Sequence, residues 1–406
     1  GPSGDVSRIS HDGGSQTGAI SAVTYCFGLF ASCTAGDGGS IGLTSNGTIR
    51  TGQLYTRAAC RGDGCVAGDG GSITIEGSGD ISIESITALS LCDEDGCSSG
   101  DGGNVRLDSA GGEIFVDGNE NARAIRTYAE CDGSGCNAGN GGTLEIESGA
   151  GTTIGGSIET HTSGDLGCED CAFGEGGSVE ITSDGDLTTA KIETDSVGGS
   201  RAGDIALDSE GSMTIGRIEA ESHSLVGASR GGNVSLDSRS NIQTQQIDAG
   251  ASGRFGFVSQ GGGISLTGGG SISTGSLLAN AGQNGNGGNV FLESSDGQGI
   301  TVNGFVTTYS LGEINSAGNV TIYSAGGLRI TGPVIALGVN DGGRVDLRAA
   351  GDVYLDSGID AFGVVGASEP VSIGAYDGDR PDTIRVQGID NRSEEHTSEL
   401  QSPDHL

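Results

Sequence analysis

One pattern of polar and apolar positions runs through most of the chain. A glycine pair and a small polar residue lead into an aliphatic, any residue, and a second aliphatic. The unit occurs twelve times, from Ile41-x-Leu43, Ile73-x-Ile75 and Val105-x-Leu107 to Val345-x-Leu347 and Val371-x-Ile373. A further aliphatic usually follows eight residues after the first, as at Ile49, Ile81, Leu187, Met213, Ile242 and Ile272. A third comes shortly after, at Leu54, Ile86, Ile192, Ile218, Ile247 and Leu277. Alternation of period two puts the aliphatics on one face of a strand, and no helical period competes with it. Each repeat therefore predicts three short strands separated by Gly, Ser, Asp and Asn turns.

A single repeat of this kind cannot bury its apolar face, whereas stacked repeats form a continuous core. The expected fold is all-β: a right-handed, single-stranded parallel β-helix (a solenoid) of about twelve coils with three short strands each. At about 4.8 Å per coil the rod is roughly 55–60 Å long. The glycines are expected to supply positive φ and close approach at the corners. Residues 1–391 read as one repeat domain, incomplete at one or both ends. Residues 392–406 are similar to the in-frame translation of a short-read sequencing adapter. They are expected to be a non-native, disordered tail, with the natural protein continuing past Asn391.

Composition narrows the function. Glycine accounts for 81 of 406 residues and proline for 5, with no Gly-X-Y period, which excludes collagen. A net charge of −35 argues against nucleic acid and against anionic membrane surfaces. No apolar run is long enough to insert into a membrane.

The cysteines come in pairs, one pair per coil and only in the first half: Cys26/Cys33, Cys60/Cys65, Cys92/Cys97, Cys131/Cys136 and Cys168/Cys171. Such an even set reads as disulfides of an exported chain. Pairing within each coil is favoured. Pairing between coils stays open, because equivalent cysteines stack at a distance a disulfide tolerates. The spacing also admits free thiols or a zinc site. The loop Cys60-Arg61-Gly62-Asp63-Gly64-Cys65 contains Arg-Gly-Asp, but its sibling loops keep the frame and vary the content.

Asp37, Asp69 and Asp101 stand four residues before successive first aliphatics and would stack as neighbouring carboxylates. Calcium could relieve their repulsion. Equally, each could be a turn residue bonding to backbone, and Arg201, Arg230 and Gln260 hold the same register elsewhere.

Gly285-Asn286-Gly287-Gly288-Asn289-Val290-Phe291-Leu292 and Gly318-Asn319-Val320-Thr321-Ile322 carry a family resemblance. Over about residues 13–391 the chain resembles the filamentous-haemagglutinin-like bacterial exoproteins. The resemblance implies secretion, usually through an outer-membrane partner, and an adhesin-like role at the cell surface toward a receptor or glycan. Catalytic motifs do not stand out from the repeat background. His11, His161 and His223 look solitary and are expected to be solvated loop residues. The chain therefore reads as a non-enzymatic adhesin-like rod. A carbohydrate-active β-helix enzyme and a structural stalk compete with that reading.

Overall fold

A computed structural model describes residues 4–10, 14–28, 33–118, 123–164, 171–224, 227–253, 257–311, 315–363, 370–375 and 384–386. Cys168, His11 and the tail 392–406 lie outside the described residues. Among the described residues there is no helix, and every strand pairing is parallel, stacked as a β-solenoid of about 11 turns.

The first sheet carries thirteen five-residue strands, from Val6–Ser10 to Val371–Ala375. Its register is continuous: Ile41 pairs with Ile73, Ile73 with Val105, Val105 with Leu144 and Leu144 with Val179. The strand Val6–Ser10 is an addition to the twelve repeats. It pairs Val6 with Ile41 and Arg8 with Leu43, so an arginine stands where the pattern demands an aliphatic.

The second and third aliphatics form two further ladders. Ile49 stacks on Ile81 and Ile81 on Ile114, while Leu54 stacks on Ile86 and Ile86 on Ile125. The expectation of three separate short strands holds in later coils, such as Val320–Ser324, Leu328–Ile330 and Val334–Ile335, but needs correction in two early ones. Ile49–Arg61 and Ile81–Asp93 are unbroken strands of 13 residues that carry both ladders and continue into the cysteines. Later coils break the same path into strands of two or three residues, as in Ile242–Thr244, Ile247–Asp248 and Ala251–Gly253.

Each turn is pinched at a waist. After the third aliphatic, a buried Thr or Ala offers its carbonyl across the lumen to the second glycine of the following Gly-Gly. Gly103 N–H donates to Ala88 O at 2.9 Å, Gly262 to Ala249 O at 2.7 Å and Gly343 to Ala336 O at 2.9 Å. Where the residue is threonine, its hydroxyl donates back to the glycine carbonyl. Thr127 bonds Gly142 O and Thr308 bonds Gly318 O, each at 2.7 Å.

The waist explains the glycine pair. A Cβ on Gly142 would stand 2.2 Å from Gly103 O, and one on Gly262 would stand 2.0 Å from Gly232 O. Close approach, not positive φ, is what these positions require. Among the described residues positive φ falls elsewhere, at Glu94, at Asn284 and at other glycines, among them Gly62, Gly64, Gly133 and Gly135 in the cysteine loops.

The waist divides the cross-section into two lobes. One holds a continuous aliphatic core running from Ile41 to Leu355. The other holds a separate buried cluster made of Cys60, Cys65, Cys92, Cys97, Cys131, Cys136 and Cys171 with three alanines. The second lobe accounts for the uneven repeat length. It closes over 15 residues at Thr127–Gly142 and over 17 at Thr160–Gly177, but over only 9 at Thr194–Gly203 and 10 at Thr308–Gly318. The long, glycine-rich lobes have little aliphatic surface to bury, and those are the lobes that carry cysteine.

Candidate functional site

Three features of this frame hold chemistry. The first is the cysteine lobe. Cys26–Cys33, Cys60–Cys65 and Cys92–Cys97 are joined within their coils, with Cα separations of 6.2, 6.1 and 6.2 Å, inside the usual disulfide range. The fourth pair departs from the expectation of a bridge. Cys131 and Cys136 are buried thiols, and Cys136 Sγ donates to the Cys131 carbonyl at 3.2 Å. Cys171 is disulfide-bonded. Cys26, Cys60, Cys92 and Cys131 stand in one strand register. Sulfurs of successive coils therefore approach closely: Cys33 and Cys60 at 3.7 Å, Cys65 and Cys92 at 3.8 Å, Cys97 and Cys131 at 3.3 Å.

The second is the aspartate register. Asp37, Asp69 and Asp101 do stack, and their carboxylates bond backbone amides of the next coil. Asp37 Oδ1 accepts from Asp69 N–H at 3.1 Å, Asp69 Oδ1 from Asp101 N–H at 2.9 Å, and Asp101 Oδ1 from Asn140 N–H at 2.7 Å. Asn140 continues the series to Glu175 N–H at 2.9 Å. The same device recurs with Asp186, Asn233 and Asn289 at other corners. An amide oxygen serves as well as a carboxylate, which explains why Asp and Asn interchange here. The geometry gives these residues a backbone-bonding role.

The third feature is not apparent in the sequence. Glu159, Glu193, Glu219 and Asp248 each follow a third aliphatic, and strand register stacks them in consecutive coils. Two residues on, His161, Asp195 and Glu221 form a parallel row: the Asp195 and Glu221 carbonyls accept from Thr162 N–H and Ser196 N–H of the preceding coil. One ligand atom from each of Glu193, Asp195 and Glu219 lies within 4.8 Å of the others, the arrangement in this region that could hold a cation. Lys191 already compensates it, donating to Glu193 Oε2 at 2.8 Å and to Glu219. Arg217 Nε adds a contact to Glu219 Oε1 at 2.6 Å.

Neither described histidine is solitary. His223 Nε2 bonds Glu221 Oε2 at 2.9 Å and its Nδ1 bonds Ser252 Oγ at 2.6 Å. His161 stacks on Tyr128 with ring centroids 4.6 Å apart. Linear spacing hides these partners, because most of them arrive from other coils. The available signal was an acid directly after the third aliphatic in four consecutive repeats.

Burial separates the acidities in this groove. It is the largest influence on Asp195, which is pushed up to about 7 with help from Glu193 and Glu221 and against the Glu221 N–H bond. Burial, then the hydrogen bond shared with Glu221, takes Asp248 up to about 8. Glu221 goes the other way, held down first by its bond to His223, whose own pKa rises for the same reason. Burial lowers His161. For Lys191 burial opposes the charge, but Glu193 and Glu219 together outweigh it and its pKa rises.

Beside the acidic rows, a surface depression of about 530 Å³ is lined by Tyr55, Glu84, Asp117, Arg123 and Arg126, among others. Arg123 links the two regions through an ion pair to Glu159 at 3.0 Å. No known family, curated protein or solved structure matches this chain.

Proposed function

We propose that the protein is an exported, adhesin-like rod of the filamentous-haemagglutinin type, holding a binding surface for a glycan or a cell-surface receptor without catalysing a reaction. The observation that carries this reading is the unbroken strand register of the first sheet, coil upon coil from Val6 to Val371. A catalytic solenoid ordinarily interrupts its repeat with a long loop over the site, and a stacked frame of this kind favours length and stiffness. Disulfides within the coils favour an extracellular or cell-surface location, and the family resemblance favours an outer-membrane secretion partner.

The depression at Tyr55, Arg123 and Arg126 is the surface we assign to contact with a sugar. It combines an aromatic ring with planar donors and an acceptor, Glu84. The test is binding of the purified protein to a polysaccharide panel, with reducing ends measured in the same samples. Binding without turnover, lost in Arg126→Ala, supports the reading. Absence of all binding favours the structural stalk.

One observation favours a carbohydrate-active enzyme as second reading. Asp248 and Glu221 share a hydrogen bond while their acidities are driven apart, so that one carboxyl holds its proton beside an ionised one. Reducing ends released by the wild type but not by Asp248→Asn would establish it.

A further inference from the structure

We propose that the cysteine lobe is a disulfide-exchange ladder that carries the thiol of Cys131 from coil to coil until it emerges at Cys26, exchanging bridges within coils for bridges between coils. Cys131 Sγ lies 3.3 Å from Cys97 Sγ, Cys92 Sγ lies 3.8 Å from Cys65 Sγ, and Cys60 Sγ lies 3.7 Å from Cys33 Sγ. Bonded and contacting sulfurs thus alternate along the solenoid axis. In Cys92–Cys97 and Cys60–Cys65, the sulfur that faces the incoming nucleophile is the opposite one from the sulfur that faces the next coil.

The steps balance without an added oxidant. The Cys131 thiolate attacks Cys97 Sγ, so the Cys97–Cys131 bond forms, the Cys92–Cys97 bond breaks and the electron pair leaves on Cys92. Cys92 then attacks Cys65, forming Cys65–Cys92 and releasing Cys60. Cys60 attacks Cys33, forming Cys33–Cys60 and releasing Cys26. The proton lost at Cys131 is regained at Cys26, and the ladder holds three disulfides before and after.

The two ends differ in access. Cys131 is fully buried, whereas Cys26 and Cys33 are only partly buried. The ladder therefore delivers a sealed thiol to a position where a thiol-bearing or electrophilic reagent can reach it. It also leaves neighbouring coils stapled to each other. Burial, and next the bond with Cys136, raises the Cys131 pKa, so the thiolate is scarce at neutral pH. The exchange rate should climb about tenfold per pH unit in the neutral to alkaline range, as the thiolate fraction does.

The test uses the full chain without reductant, held at pH 7 and pH 9, trapped with iodoacetamide and mapped as non-reduced peptides. The expected result is alkylation accumulating at Cys26 with Cys33–Cys60, Cys65–Cys92 and Cys97–Cys131 linkages, faster at the higher pH. In Cys131→Ser these linkages should be absent. Should that variant fail to fold, Cys60→Ser/Cys65→Ser cuts the ladder: Cys97–Cys131 forms, the thiol stops at Cys92, and Cys26–Cys33 stays closed. Bridges that remain within coils at both pH values, inter-coil linkages undiminished in Cys131→Ser, or a denatured protein with no alkylatable thiol would each overturn the proposal.

Discussion

Thr194 and Gly203 close their turn twice: the Gly203 N–H donates to the Thr194 carbonyl at 2.8 Å, and the Thr194 hydroxyl donates to the Gly203 carbonyl at 2.7 Å. The pair satisfies three backbone groups and a hydroxyl that are sealed from water, Thr194 being fully buried. Alanine occupies the threonine position in other coils, at Ala249 and Ala336, where only the N–H bond is made. Thr194→Val keeps the shape and removes the hydroxyl bond. It should cost about 1 kcal/mol in urea unfolding.

The waist glycine tolerates less. Gly262→Ala forces a Cβ against the Gly232 carbonyl, which belongs to a neighbouring coil and cannot rotate away. Overpacking of this kind costs roughly 1–3 kcal/mol. Denaturation of Gly262→Ala should show that loss, while alanine at Gly227, where the nearest atom is 3.7 Å off, should stay within about 0.5 kcal/mol of wild type.

Acidity shifts in the groove set a pH dependence. Asp195 and Asp248 titrate higher in the fold than in the unfolded chain, at about 7 and about 8. Their contribution is fully present below the ordinary carboxylate range and is lost as pH rises through those folded values. His223, also raised, acts in the same direction and the lowered His161 opposes it, whereas the lowered Glu221 acts only below the ordinary carboxylate range. Melting temperature should therefore fall between about pH 5 and pH 8, and Asp195→Asn should flatten the slope. A profile unchanged by Asp195→Asn would contradict the assignment.

Asp69 Oδ1 accepts an amide bond, a role that an amide side chain can fill equally well. Asp69→Asn should leave the melting temperature unchanged and Asp69→Ala should lower stability by about 1 kcal/mol, both measured with and without chelator. A chelator-dependent loss in the wild type that Asp69→Asn removes would instead make this register a calcium site.

The aliphatic frame was legible in the chain because a strand's period is two and its ladder repeats Ile41, Ile73 and Val105 in the same phase. Val6–Ser10 was not, since Arg8 stands in an aliphatic position. The waist was half legible: the glycine pair is plain, but its partner, Ala88 or Thr127, lies about half a turn away. The groove at His161, Glu193 and Glu221 was hidden for a related reason. Its members are separated by whole coils, and acids are so common in this chain that four in register do not stand out. Pairing within the coil was the favoured expectation, and Cys26–Cys33, Cys60–Cys65 and Cys92–Cys97 are joined that way, but spacing alone also allows Cys60 to meet Cys33 and does not single out Cys131 and Cys136.

The two-lobed turn can be tested most directly by hydrogen exchange on the oxidised and reduced protein. The account predicts that reduction releases amides in the cysteine lobe, around Gly62 to Val66, while the waist amides of Gly142 and Gly203 and the aliphatic ladders stay protected. Loss of protection across both lobes together on reduction would contradict a waist that seals one from the other.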